Sequence, residues 1–519
     1  MRYLILFFFV LLFYACEPPR ASENLTDDRP NIVIILADDM GFSDLGCYGG
    51  EIRTPNLDRL AANGLRYRHF YNAARCCPTR ASLLTGQYPH VAGMGSMVSP
   101  AGKPRAEAAY QGFLREDLPT IAEQLKSVGY RTYMSGKWHV GEHEDYWPLQ
   151  RGFERYFGLI SGASSYYTIR KDQERERRMV LDSTRWEPPV GENWYATTAY
   201  SDFAVKVVKD HNKAAVSEPF FLYLAYTAPH WPLHAPEETI RSYAGVFDAG
   251  WDSLRTARFS RQQEMGLIDD SFVLPPTAAR VPRWETVENK PTWLRKMQTY
   301  AAMVEEMDKG IGRLVAELEA KGELDNTLIL FLSDNGGCAE NVRGRKLNRP
   351  GSTIGAPGSY VAYDEPWAAL SNTPYRRYKQ WTEEGGTATP LIVHWPVGID
   401  SAASGVWSDQ VGHVIDLLPT TLEAAEAAVP PALPGSSLLP SFSAGHDPYD
   451  RTIYWEHFGK QAVRAGSWKL VRSKPDHAWR LYDLDADATE LNNLAEVKPS
   501  LVDSLDQQYA RWAQEVGVK

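Results

Sequence analysis

Two rhythms of apolar and polar positions alternate along the chain. Residues 31–37, Asn-Ile-Val-Ile-Ile-Leu-Ala, form a β-branched run without polar alternation, the pattern of a strand buried on both faces. Comparable runs occupy residues 130–134, 220–226 and 327–332, with a further one at 390–395. Helical patterns lie between them. Residues 54–64 carry Pro55 in the first turn and Gly64 past the end, and residues 119–129 repeat that design. Over residues 300–321, Met303, Met307, Ile311, Leu314 and Leu318 fall on one stripe. Residues 418–428 form another helical segment with Pro419 in its first turn. Strands that alternate with helices predict an α/β fold, a large mixed, mostly parallel sheet sandwiched by helices.

The rhythm changes after residue 428. Residues 429–450 are rich in Ala, Pro, Ser and Gly without periodicity and read as a linker. Residues 452–455, 461–464, 468–472 and 479–484 then read as short antiparallel strands, and 499–516 as a closing helix. The expected organisation is a main domain over 30–428, the linker, and a smaller C-terminal α+β subdomain over 451–519 that carries a short antiparallel sheet. At the other end, Met1-Arg2-Tyr3 and the apolar residues 4–14 form an export signal too short to span a bilayer comfortably. Cys16 after Ala15 resembles the end of a bacterial lipoprotein signal, although Phe13-Tyr14 stands where such signals have Leu and a small residue. The alternative is an ordinary cleaved signal with release into the periplasm. Residues 17–29 are polar and Pro-bearing and read as a tether.

Composition narrows the partners. The 519 residues are 44% hydrophobic and 23% charged, which is ordinary for a globular protein, and the net charge of −10 argues against a nucleic-acid partner. Membrane attachment is expected only through a lipid on Cys16. Five cysteines are too few for a disulfide framework in an exported chain of this size. With Cys16 and Cys76 set apart, Cys47, Cys77 and Cys338 allow one bridge, which the sequence does not pair.

Four of the strands deliver polar residues just past their carboxyl ends, the edge where open α/β sheets bind ligands. Asp38, Asp39, Asp334 and Asn335 offer three carboxylates and an amide oxygen, a hard donor set suited to Ca²⁺ or Mg²⁺ rather than Zn²⁺. Arg80, Lys137, His139, His230 and Lys379 supply the cations that an anionic group requires. Any one of them alone reads as a solvated turn residue; together they describe an anion site beside a metal. Cys76-Cys77-Pro78-Thr79-Arg80-Ala81-Ser82-Leu83-Leu84-Thr85-Gly86 reads as a reactive side chain ahead of a helix that Gly86 closes, or as two packed cysteines.

Cys76-x-Pro78-x-Arg80 with Leu84-Thr85-Gly86 resembles the signature of the formylglycine-dependent (type I) sulfatases. Asp38-Asp39-Met40-Gly41, Gly136-Lys137-Trp138-His139, Ala228-Pro229-His230, Asp334-Asn335-Gly336-Gly337 and Lys379 with Glu384-Gly385-Gly386 follow in that family's order. The segment from Asn372-Thr373-Pro374 to Trp395 looks most like its arylsulfatase branch. The resemblance implies an alkaline-phosphatase-like fold, with one Ca²⁺ on Asp38, Asp39, Asp334, Asn335 and the residue at position 76. It implies that a maturation enzyme, formylglycine-generating or anaerobic sulfatase-maturating, oxidises Cys76 to 3-oxoalanine (formylglycine), whose hydrate attacks sulfur. By the same resemblance Lys137, Lys379 and both histidines gather charge on the sulfuryl oxygens, His230 protonates the departing alcohol, His139 takes a proton from the second hydroxyl, and Arg80 holds the modified residue. The implied substrate is a sulfated small molecule or glycan. Rival readings are a phosphonate monoester or phosphodiester hydrolase of the same superfamily and a non-catalytic lipoprotein that binds sulfated glycans. Ser164-Ser165-Tyr166-Tyr167, Trp231, Trp251, residues 341–366 and His457 are the expected pocket-lining positions.

Overall fold

The structure is a computed structural model that describes residues 27–99, 105–169, 177–189, 194–213, 218–342 and 347–519. The export signal, Cys16 and most of the tether lie outside the described residues. Five strands run parallel and side by side at its centre, in the order Thr327–Ser333, Asn31–Asp38, Phe220–Pro229, Arg131–Gly136 and Arg155–Leu159. In chain order we label four of them β1 (Asn31–Asp38), β2 (Arg131–Gly136), β3 (Phe220–Pro229) and β4 (Thr327–Ser333). Leu391–His394 joins β4 antiparallel, and further short strands extend both sides to make a ten-stranded mixed sheet.

Alternation along β1 shows why its residues are uniformly apolar. Val33, Ile35 and Ala37 enter the hydrophobic core on one face, while Ile32, Ile34 and Leu36 enter the core on the other. Each such aliphatic side chain contributes about 1.5–3 kcal/mol on burial, so both faces must be covered. Helix α1 (Cys76–Thr85), with Ile121–Ser127 and Leu417–Ala424, covers one face. The 31-residue helix α2 (Lys290–Ala320) covers the other and buries the stripe Met303, Met307, Ile311, Leu314 and Leu318.

Element ends shift from the sequence expectation for identifiable reasons. Helix α2 begins ten residues before 300, with Pro291 in its first turn, because buried Met297 and partly buried Trp293 and Leu294 extend its apolar face. The helix expected from residue 119 starts at Ile121, where Thr120 and Glu123 make a reciprocal capping box. Within residues 429–450, Leu438 and Phe442 are buried in the main core.

The C-terminal residues form a separate antiparallel sheet of β5 (Thr452–His457), β6 (Lys460–Ala465), β7 (Trp468–Arg472) and β8 (Arg480–Asp483). Helix α3 (Pro499–Val516) packs Leu505, Tyr509 and Trp512 against Val463, Leu470 and Leu481. This sheet is fastened to the site-bearing loops. The Trp455 indole donates to the Asn72 carbonyl at 2.8 Å, and buried Lys469 pairs with Glu384 at 2.6 Å. Cys47, Cys76, Cys77 and Cys338 are all buried free thiols, so no disulfide forms among the described residues.

Candidate active site

Because β1 to β4 are parallel, their carboxyl ends share one edge, and each exit places a polar residue there. Asp38 closes β1, Lys137 follows β2, His230 follows β3 and Asp334 follows β4. All four are buried. Two site residues adopt left-handed backbone, Asp39 with φ 70° and His139 with φ 60°, a conformation that non-glycine residues hold only where surrounding contacts enforce it.

The carboxylates are densely bonded. Asp38 Oδ2 accepts from Lys137 Nζ at 2.6 Å; Asp39 accepts from Lys379 Nζ at 2.6 and 2.8 Å and from Asn335 Nδ2 at 2.7 Å. The Asp39 amide donates to Asp334 Oδ1 at 3.2 Å, which ties the first exit to the fourth. Asp334 Oδ2 takes two bonds from Arg80, from Nε at 3.0 Å and Nη2 at 2.8 Å, and Arg80 Nη1 donates to the Lys137 carbonyl at 2.8 Å. Arg80 reaches them from the second turn of α1. Burial raises the Asp38 carboxyl to about 6 despite Lys137, and burial with Asp38 nearby drives Asp334 well above the carboxylate range. For Asp39 burial also raises the value, but Lys379 and His230 overcome it and hold the group at about 2.

This donor set fits a hard divalent cation. Asp38 Oδ1 and Asn335 Oδ1 are buried polar atoms without a hydrogen-bond partner, a costly condition in an apolar interior. Three carboxylates crowded at one point repel one another, and two with strongly raised values lack enough positive charge. An oxygen-seeking ion satisfies both conditions. His230 also stands with Asp38 and Asp39 in a metal-sized group, yet its Nδ1 bonds the Trp231 carbonyl at 2.5 Å and Nε2 lies 3.5 Å from Asp39 Oδ2. Burial lowers His230 to about 4 despite Asp39. Cys76, Cys77 and His139 form a second convergent group, a soft sulfur and nitrogen set unlike the hard oxygen donors beside it; burial raises the Cys77 thiol well above the ordinary range.

Cys76 occupies the first position of α1, one residue further into the helix than the loop position expected from the sequence; extended Arg75 is its N-cap and Gly86, φ 64°, its C-cap. Its thiol therefore faces the unpaired N–H groups of the first turn. Sγ lies 3.5 Å from His139 Nδ1. A hydrogen bond from Cys77, then the charges of Lys137, His139 and Lys379, pull its value well below the ordinary thiol range against the effect of burial. Cys77 lies behind it in the hydrophobic core, with Sγ also 3.5 Å from Met97 Sδ. The adjacent cysteines are thus unlike: one faces the site and one fills the core.

Among the expected pocket residues, Tyr166 is buried with its hydroxyl 2.9 Å from the His230 carbonyl, and Trp231 sits beside His230. Trp251 does not line the site. It is fully buried in a cluster with Trp284, Trp293 and Trp367, because its helix packs that face inward. Residues 343–346 of the 341–366 stretch lie outside the described residues. His457 projects from β5 on the same face as Trp455 and is fully buried with neither ring nitrogen bonded. Sequence reasoning missed Arg75, Glu340 and Gln380, which contact one another next to Cys76 and Lys379; each is a single polar residue with no spacing signal of its own.

The comparisons with known proteins agree along the chain. The sulfatase family model matches residues 30–427, and the model for the N-sulphoglucosamine sulphohydrolase C-terminal region matches residues 376–514. An uncharacterized sulfatase of Schizosaccharomyces pombe is 34% identical and covers 96% of each chain. The arylsulfatase of Klebsiella aerogenes is 34% identical over 77% of this chain and 87% of its own. The N-acetylgalactosamine-6-sulfatase of Rattus norvegicus is 30% identical over 87% of this chain and 71% of its own. Among solved structures, Ps i-CgsB in complex with k-i-k-neocarrahexaose is 26% identical, covers 93% of both chains and superposes with a TM-score of 0.70. A family match over most of the chain, joined to relatives of this identity along nearly its full length, means that this protein belongs to the sulfatase family and is a sulfuric ester hydrolase.

Proposed function

We propose that this protein removes sulfate from a carbohydrate O-sulfate, using a formylglycine made from Cys76 and a Ca²⁺ bound at the sheet edge. The observation that carries the reading is the placement of the Cys76 side chain against His139 in the same buried site as the unpartnered oxygens of Asp38 and Asn335. Asp38, Asp39, Asp334 and Asn335 are the residues that would hold Ca²⁺. When present, the ion would supply positive charge to the sulfuryl oxygens, and the formylglycine hydrate would supply the attacking hydroxyl.

The chain's own groups do the rest. Lys137 and Lys379 bring ammonium groups to the same edge, where they offset negative charge on the ester oxygens. His230 is fixed through Nδ1 on the Trp231 carbonyl, which leaves Nε2, 3.5 Å from Asp39, as the nitrogen that would take up a proton once the anionic ester is bound and pass it to the departing alcohol. His139 Nδ1, beside position 76, takes a proton from that residue so that sulfate can leave. Arg80, locked on Asp334, holds the first turn of α1 in place.

Support for a sugar substrate comes from relatives: N-acetylgalactosamine-6-sulfatase by name, and Ps i-CgsB by its bound neocarrahexaose. The apolar residues 4–14 and Cys16 support export to the periplasm or anchoring at the outer membrane, where such substrates are met. A formylglycine-generating or anaerobic maturating enzyme is the implied partner, the oxidant of Cys76.

Mass spectrometry of the Cys76 peptide, from cells that co-express a maturation enzyme, is expected to show the aldehyde. Turnover of 4-nitrophenyl sulfate is expected to exceed that of matched phosphate esters, and a panel of sulfated mono- and oligosaccharides is expected to include a better substrate than the aryl ester. An unmodified thiol throughout, or a preference for phosphate, would overturn the reading.

A further inference from the structure

Glu340 lies three residues beyond Gly337 and outside every motif, yet its carboxylate joins three of the loops that carry the site. Oε1 forms an ion pair with Arg75 Nη2 at 3.2 Å and accepts from Gln380 Nε2 at 2.6 Å, and Oε2 accepts from Trp231 Nε1 at 3.2 Å. Each donor is the chain neighbour of a site residue: Arg75 precedes Cys76, Trp231 follows His230, and Gln380 follows Lys379.

Every arm of this hub ends on a feature that needs holding. Arg75 is the N-cap of α1 and so sets the position of Cys76. Ala74 and Gln380 both adopt left-handed backbone, φ 61° and 77°, and the Gln380 amide donates to the Ala74 carbonyl at 2.8 Å. Two strained residues in contact relax unless their surroundings fix them. On the third arm, the Trp231 carbonyl is the acceptor for His230 Nδ1, so fixing the indole also fixes which nitrogen of His230 faces the site.

Three donors from three different loops thus converge on one carboxylate, one arm from each loop. We propose that Glu340 is a positioning residue that holds Cys76, His230 and Lys379 in mutual register, an inference that rests on the sulfatase reading above. Misplacement by about 1 Å costs on the order of 100-fold in rate. The loss is expected in kcat, because substrate contacts are left in place.

The test is steady-state kinetics on 4-nitrophenyl sulfate, with kcat expressed per folded, formylglycine-bearing molecule counted by mass spectrometry. Glu340→Ala is expected to lower kcat by about 30-fold or more with KM changed less than about threefold. Glu340→Gln, which keeps an acceptor oxygen, is expected to fall between the two. If Glu340→Ala does not fold, Glu340→Gln and Gln380→Ala carry the test, each with a kcat-only loss expected. A raised KM with unchanged kcat would make Glu340 a substrate contact and overturn the inference, as would wild-type constants. Wild-type protein inactive on sulfate esters would instead sink the sulfatase reading on which the inference stands.

Discussion

Gly162 packs against His139 so closely that a Cβ at position 162 would stand 2.3 Å from Nε2 and 2.4 Å from Cε1 of the ring. The contact is with a side chain whose opposite nitrogen faces Cys76, so the missing Cβ sets where that nitrogen points. Gly162→Ala is expected to push the ring off its position and lower turnover by on the order of 100-fold, with the far-UV circular dichroism of the folded protein retained. Wild-type turnover in this variant would show that His139 is not placed by the contact.

Cys76 and Cys77 differ in surroundings, and their variants should differ accordingly. Cys76→Ala is expected to remove measurable turnover while leaving the unfolding transition near that of the parent. Cys77→Ser places a hydroxyl in a packed position between Ser96 and Met97 and is expected to cost about 1–3 kcal/mol of stability but to retain activity. Activity lost equally in both would contradict their separate roles.

The unpartnered oxygens of Asp38 and Asn335 predict a stabilising response to metal. Thermal unfolding of chelator-treated protein is expected to move upward on addition of Ca²⁺, corresponding to about 2.7 kcal/mol at a concentration 100-fold above Kd, with a smaller response to Mg²⁺. Asp38→Asn is expected to abolish the response. An equal shift in that variant would place the ion elsewhere.

Arg80 is fully buried and gives two bonds to Asp334. Its removal leaves carboxylates without their nearest guanidinium, so Arg80→Ala is expected to destabilise by about 3–5 kcal/mol in urea unfolding. Arg80→Lys, which keeps charge but not the forked geometry, is expected to recover only part of that. A loss below about 1 kcal/mol in the Ala variant would mean that water or metal replaces the guanidinium.

Acid stability should report the histidines that are buried in the uncharged form. Burial, followed by the charge of Arg451, lowers His413 to about 3, and burial with Arg75 lowers His457 well below 6.5. A histidine near 6.5 when unfolded takes up a proton below that pH that its folded counterpart does not bind. The stabilising effect is therefore complete above 6.5 and is lost as pH falls toward the folded value, by about 1.4 kcal/mol per pH unit for each group. His413→Gln is expected to flatten the decline of unfolding free energy between pH 6.5 and 4.5, measured by urea titration. An unchanged slope would remove His413 from the account.

Much of the site was legible because its residues sit in short contiguous motifs at strand exits. Asp38-Asp39 follows an apolar run, Lys137 and His139 flank Trp138, and Asp334-Asn335 precedes two glycines; each location follows from where a buried strand must end. The glycines belong to the same logic: a Cβ on Gly336 would lie 2.0 Å from the Gly385 carbonyl, so the fourth exit and the Lys379 loop can meet only through them. Glu340 and Gln380 were not legible, since neither has a periodic or motif context and their meaning comes from a contact between residues 40 positions apart. Trp251 was misread for the converse reason: an aromatic residue in a polar stretch looks the same whether its ring meets a ligand or three other indoles.

By itself the sequence determined the strands, the parallel core and the list of acidic, basic and thiol groups delivered to its edge, because burial on both faces demands uninterrupted apolar runs and the chain must turn where they stop. Only the tertiary structure decided which of the two cysteines faces His139, which oxygens remain without partners, and which carboxylate ties the loops together. Those outcomes depend on directions and distances of a few ångströms between segments far apart in the chain, and local patterning carries no record of them.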